Sequence, residues 1–166
     1  MKIALCQVNT IVGNFEYNKE KILKYYSKSI DSNADIIVFP ELSLCGYPPQ
    51  DLLLDEEFIK KNMEVLKQIS IASSAPIIIG YIRKEGKRIY NSAAICYEGK
   101  LQSYYDKMLL PTYDVFDEAR YFKSGLKPTV SKIPYNNEFL KIGIQICEDL
   151  WDDDYDCKVS MSQMDL

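Results

Sequence analysis

Four consecutive apolar residues, Ile36-Ile37-Val38-Phe39, stopped at once by Pro40, constrain the fold of this chain more than any other stretch. A run so short and so continuous reads as a strand buried on both faces. Upstream, residues 3–8 form a second apolar run, expected to be a buried first strand. Between the two, Ile22, Leu23, Tyr26 and Ile30 recur at helical spacing over residues 17–32, while Lys19, Glu20, Lys24 and Lys28 fall mainly elsewhere. Strand, helix, strand implies a parallel pair joined by a crossover, hence an α/β fold. Glu41 follows Pro40 and so stands at the carboxyl end of a buried parallel strand, where open α/β sheets place their ligand crevices. Taken alone, it reads first as a capping or loop glutamate.

Residues 42–54 make a loop stiffened by Gly46-Tyr47-Pro48-Pro49. Asp55 then caps a second helix, with Glu56 and Glu57 in its first turn and Phe58, Ile59, Met63, Leu66 and Ile69 on its inner face. Pro76 starts a third strand. Lys84-Glu85-Gly86-Lys87 and Tyr97-Glu98-Gly99-Lys100 are turn signals, so strands near 77–83, 88–97 and 101–105 are expected to form an antiparallel meander, making the sheet mixed. Residues 106–127 show little apolar periodicity and read as a long surface loop. Residues 129–133 and 139–146 are expected to close the sheet as a further hairpin. Its second strand, with Leu140, Ile142, Ile144 and Ile146 alternating, delivers Cys147 into Glu148-Asp149-Leu150-Trp151. A cysteine at a strand end before a turn suits a nucleophile; the plainer reading is a small core residue.

Composition removes several classes of function. At 166 residues and 47% hydrophobic, the chain is read as one domain, 1–166. A net charge of −4 without a Lys/Arg cluster argues against nucleic acid. No apolar run approaches the roughly 20 residues that cross a bilayer. The N-terminus enters a strand directly, and five cysteines occur without a C-x-x-C pair, so a reducing, cytoplasmic setting is expected. There is no histidine, which rules out Ser-His-Asp and Cys-His catalysis within this chain. The seven glycines form neither a dinucleotide fingerprint nor a phosphate loop. Asp152-Asp153-Asp154 and Asp156 suggest a calcium loop, but Cys157 and Gln163 stand where glycine and glutamate are required. No metal or cofactor is expected. Residues 158–166 read as the continuation of a solvated helix.

Three pieces occur in order: Phe39-Pro40-Glu41-Leu42; Tyr105-Asp106-Lys107 with Leu109-Leu110-Pro111; and Gln145-Ile146-Cys147-Glu148-Asp149. Together they resemble the carbon-nitrogen hydrolase, or nitrilase, superfamily, with its Glu-Lys-Cys triad. More narrowly, residues 45–53, 113–122 and 147–151 are similar to the glutamine-hydrolysing domains of glutamine-dependent NAD synthetases. The resemblance implies a four-layer α-β-β-α sandwich. It implies Cys147 as nucleophile, Glu41 as general base and Lys107 as the cation beside the tetrahedral intermediate. Glu118 matches a second carboxylate near the triad, and Tyr113, Glu148 and Trp151 match positions that contact glutamine. Implied partners are glutamine or a similar small carboxamide, an ATP-dependent NAD synthetase domain or chain, and further copies of this chain.

These residue types suit the chemistry. Amide hydrolysis wants a strong nucleophile, a proton donor for departing ammonia and a positive group where oxygen becomes an anion. A free glutamate, at a pKa of about 4.3, is a feeble base toward a thiol at about 8.5, and burial can close most of that gap. Lys107 opposes such a rise while favouring the thiolate. Proton transfer on attack and a preformed thiolate both remain open, with the first preferred. The family's chain runs on after the nucleophile through another helix and strand, whereas this one ends at Leu166. The expectation is therefore a C-terminally incomplete sandwich with an exposed edge or apolar face, carrying the triad but hydrolysing glutamine poorly. Two other functional readings are a stand-alone amidase of the same superfamily and a non-catalytic remnant that only assembles with partners.

Overall fold

Two local signals start the helices of the computed structural model, which describes residues 1–154. The Asn14 side chain accepts from the Tyr17 amide at 3.2 Å and caps α1 (Phe15–Asp31). Asp55 accepts from the Glu57 amide at 2.9 Å and caps α2 (Glu56–Ala72). Both helices turn their apolar stripes, including Ile22, Tyr26, Phe58, Ile59, Leu66 and Ile69, onto one face of a five-stranded sheet. Strands β1 (Ile3–Leu5), β2 (Ile36–Val38) and β3 (Ile77–Glu85) run parallel, and β3, β4 (Arg88–Tyr97) and β5 (Lys100–Asp106) form the antiparallel meander. The mixed sheet is as the sequence implied.

The first strand is shorter than expected, and it is not buried. It is an edge strand; Ala4 packs inward while Ile3 and Leu5 are exposed. The last hairpin also differs from expectation. Strands β6 (Val130–Tyr135) and β7 (Glu138–Gly143) pair only with each other, as a second sheet. Ile133 is buried, and Leu140, Ile142 and Ile144 are partly buried, against Ile36, Ile78 and Ile95 of the first sheet. Alternation identified the buried face of β7 but could not say which strand lay beyond it. Helices, sheet and second sheet make three layers of the α-β-β-α sandwich among the described residues. The acidic stretch beyond Asp154 and the helix expected over 158–166 lie outside them.

Residues 106–127 correct a further expectation. This segment carries Lys107 and Leu109 at 0% and 2% exposure and Glu118 at 5%, so parts of it lie inside the protein, on either side of an exposed stretch at 112–115. Its apolar residues follow no period, and Lys107 and Glu118, which it also buries, are charged. Gly125 makes the approach possible: a Cβ there would overlap the carbonyl of Asp106, and the Gly125 amide donates to the Lys107 carbonyl at 2.8 Å.

Candidate active site

Glu41 reaches its place through two backbone features. Leu42 adopts a left-handed φ of 48°, which turns the chain sharply after Glu41. The turn presses against β3 at Gly80, where any Cβ would collide with the Leu42 nitrogen and the Pro40 carbonyl. One oxygen of Glu41 then accepts from the Lys107 ammonium at 2.7 Å and from the Asn91 side-chain amide at 2.6 Å. Lys107, directly after β5, is fully buried, and it also donates to both oxygens of Glu118 at 3.0 Å. Glu118 lies in a short 3-10 turn (Glu118–Arg120) and accepts further from Asn91 at 3.2 Å and from the Tyr47 hydroxyl at 2.9 Å. One ammonium is thus shared by two carboxylates, and an amide bridges them from the other side.

Charge in this cluster is unbalanced if both acids are ionised. Burial pushes the Glu41 carboxyl above its ordinary range; the charge of Lys107 pulls it back, and that of Glu118 adds to the rise. For Lys107, burial alone favours the neutral amine, but the charges of Glu41 and Glu118 outweigh it and raise the pKa. The ammonium therefore stays protonated while Glu41 is poised to take a proton. Burial, followed by the charge of Glu118, raises the Tyr47 phenol, so it stays a donor.

Cys147 follows β7 only after three intervening residues and opens a 3-10 segment (Cys147–Asp154), with a left-handed φ of 50°. The residue is exposed, unlike Cys6, Cys45 and Cys96. Burial holds the Cys45 and Cys96 thiols up to about 12 and about 11. The Cys147 thiol is also raised, by burial and then by the charge of Glu41, against the pull of Lys107. Glu41 and Cys147 line one cavity of about 170 Å³, walled by Phe39, Ile78, Ala93, Ile144 and Ile146. Cys147 and Glu41 thus open onto common space.

Asp149 joins the two halves of the site. Its fully buried carboxylate accepts from the amides of Met108 at 3.0 Å, Leu109 at 2.9 Å and Ile146 at 2.9 Å, and from the Tyr105 hydroxyl at 2.7 Å. The segment after Lys107 and the segment before Cys147 are therefore tied to a single side chain. Next to it, Glu148 is buried and accepts from the Tyr113 hydroxyl at 2.8 and 3.0 Å. Trp151 is 58% exposed at a kink in the 3-10 segment, and no hydrogen bond joins it to the others among the described residues.

Of the seven residues singled out in the sequence, the structure brings Glu41, Lys107 and Glu118 into one cluster, sets Cys147 on a cavity with Glu41, and pairs Tyr113 with Glu148. Sequence reasoning missed Asn91, Tyr47 and Asp149. A signal existed for Asn91, a polar residue in the middle of an otherwise inward-packing strand. Among the described residues, no group of three or more candidate ligands could hold a metal ion, and no helix is long and apolar enough to cross a membrane.

The family model described as carbon-nitrogen hydrolase matches residues 2–162. The glutamine-dependent NAD(+) synthetase of Synechocystis sp. is 40% identical over 161 residues, covering 92% of this chain and 28% of that protein. The glutamine-dependent NAD(+) synthetase of Thermotoga maritima is 37% identical over 154 residues, covering 91% and 26%. The chain thus spans about a quarter of the length of these relatives. The solved structure of glutamine-dependent NAD+ synthetase from Acinetobacter baumannii, in complex with ADP, superposes with a TM-score of 0.84 at 35% identity, covering 91% of this chain and 28% of that one. An amidase from Nesterenkonia sp. superposes with a TM-score of 0.75 at 21% identity, covering 90% and 56%, a likeness of fold.

Proposed function

Because this chain belongs to the carbon-nitrogen hydrolase family, we propose that it hydrolyses a primary carboxamide, the side-chain amide of glutamine, through a thioester on Cys147. The sulfur attacks the amide carbon while its proton passes to Glu41. Carbonyl oxygen becomes an anion and is met by the Lys107 ammonium. Collapse expels the amine, which takes the proton back from Glu41 and leaves as ammonia. Water then attacks the thioester, again giving its proton to Glu41, and the thiol is regenerated with release of glutamate.

One observation carries this reading: Cys147 and Glu41 share a cavity, and the fully buried Lys107 ammonium lies 2.7 Å from the Glu41 carboxylate. The raised thiol and raised carboxyl favour proton transfer during attack over a preformed thiolate. Glu148, held by Tyr113, offers a buried carboxylate to the α-ammonium of glutamine, which a simpler amide lacks. Likeness to proteins named as glutamine-dependent NAD(+) synthetases supports glutamine as substrate and an ATP-dependent synthetase module as consumer of the ammonia.

The reading is tested by incubating the chain with a chloroketone analogue of glutamine and locating adducts by mass spectrometry. A single adduct on Cys147, prevented by excess glutamine, is expected. Labelling that glutamine does not prevent would overturn the reading.

A further inference from the structure

The function proposed above uses Glu41, Lys107 and Cys147 and leaves Asn91 without a role. Asn91 sits on β4, 1% exposed, with its side chain pointing into the charged cluster. Its amide nitrogen donates to Glu41 at 2.6 Å and to Glu118 at 3.2 Å, while its backbone carbonyl accepts from the Lys107 amide at 2.9 Å. One residue therefore binds both carboxylates through its side chain and the Lys107 backbone through its carbonyl. Its side-chain oxygen, equally buried, has no hydrogen-bond partner. A buried amide that leaves its own oxygen unpaired so that its nitrogen can face two carboxylates is costly for folding alone.

We propose that Asn91 is a positioning residue: its amide binds the two carboxylates that share Lys107 and keeps Glu41 ionised, ready to receive the Cys147 proton. This rests on the reading of Glu41 as base. An amide N–H favours the charged form of the carboxylate it binds, in opposition to burial. No acid can replace it there, because a third carboxylate would face Glu41 and Glu118 with only one ammonium between them. Aspartate has the same shape as asparagine and supplies that third charge; leucine keeps the branched outline, though larger, and removes the donor and the unpaired oxygen together.

The groups that face Glu41 are Lys107 after β5, Glu118 in its 3-10 turn, Tyr47 in the loop after β2 and Cys147. The phenol of Tyr47 and the ammonium of Lys107 hold their protons across the neutral range, so Glu41 governs the acid limb of Cys147 reactivity. Iodoacetamide, itself a small carboxamide, reports that limb: the sulfur–carbon bond forms, iodide leaves, and the thiol proton goes to Glu41.

The experiment measures iodoacetamide alkylation of Cys147 against pH, residue by residue, in the full chain and in Asn91→Leu and Asn91→Asp, with thermal unfolding of each. In the unsubstituted chain the rate rises with pH as Glu41 ionises. Asn91→Leu is expected to move that rise upward by about one pH unit, the scale of one lost hydrogen bond to a charged group. Asn91→Asp is expected to lower the rate at neutral pH about tenfold or more. A limb that stays in place in a folded Asn91→Leu chain overturns the inference and leaves Glu41 as base. A limb missing from the unsubstituted chain overturns the base reading and the inference with it. Should Asn91→Leu fail to fold, Asn91→Asp decides alone: an unchanged rate at neutral pH overturns the inference.

Discussion

Asp106 and Lys107 are neighbours in sequence, yet the two ionic groups they build differ in kind. Asp106 meets Arg83 through two hydrogen bonds of 2.8 and 2.7 Å, with the Ser92 hydroxyl donating at 2.6 Å, and the exposed Glu85 adds a looser ion pair at 3.5 Å. The Arg83 guanidinium lies between the rings of Tyr90 and Tyr104, at 4.3 and 4.5 Å from their centroids. Only one carboxylate withdrawn from water faces the guanidinium, and its hydrogen bonds raise the Arg83 pKa against the effect of burial. Lys107, one residue later and facing the opposite side of the sheet edge, has two carboxylates to satisfy. A matched pair holds structure in place, whereas an unmatched cluster can exchange a proton at little cost.

Breaking each group should therefore have different consequences. Lys107→Met is expected to have the largest effect. It strands Glu41 and Glu118 without a counter-charge, at about 3–5 kcal/mol of stability by denaturant titration at neutral pH, and it slows acylation of Cys147 by about a hundredfold or more. Arg83→Met should cost about 2–3 kcal/mol and yet leave the pH position of Cys147 alkylation where it was. A moved limb in that variant would show that the two groups are not separate. Glu118→Gln should have the smallest effect on stability, since an amide oxygen still accepts from Tyr47 and Lys107. The charge of Glu118 raises both Glu41 and Cys147, so its removal is expected to shift the alkylation limb to lower pH.

The same contrast appears in stability against pH. A folded Glu41 pKa above the unfolded value means that the native chain binds this proton more tightly. Its contribution is present below the ordinary carboxyl value of about 4.3 and declines as pH rises through the folded value. Lys107, also raised, contributes below the free lysine value and loses that contribution as pH rises through its folded value. Glu41→Gln, which imitates the protonated acid, should therefore be at least as stable as the unsubstituted chain at pH 8, the advantage fading toward pH 4. Chemical denaturation at the two pH values measures this.

Most of the scaffold was legible because its signals are local. Asp55 as a cap, the apolar stripe of α2 and the two turns at Gly86 and Gly99 each depend on a few adjacent residues. Partnership across the fold was not legible. Alternation marked the inner face of β7 but not that it packs on the first sheet instead of extending it. Residues 106–127 read as surface because Lys107 and Glu118 are charged, although they are buried through each other. Asp149 was given no role beyond its place after the cysteine, yet its carboxylate is fully inside and holds three backbone amides. Position at a strand end marked Glu41 and Cys147 as candidates beside plainer readings, whereas Lys107 and the roles of all three came from resemblance.

In the proposed mechanism, the carboxylate paired with Lys107 removes the proton of Cys147 when an amide is attacked. Single-turnover mixing with glutamine, acid quench and mass spectrometry of the Cys147 peptide test it in the unsubstituted chain and in Glu41→Gln. A glutamyl thioester on the unsubstituted chain and none on the variant is the predicted result. Equal thioester on both would contradict it.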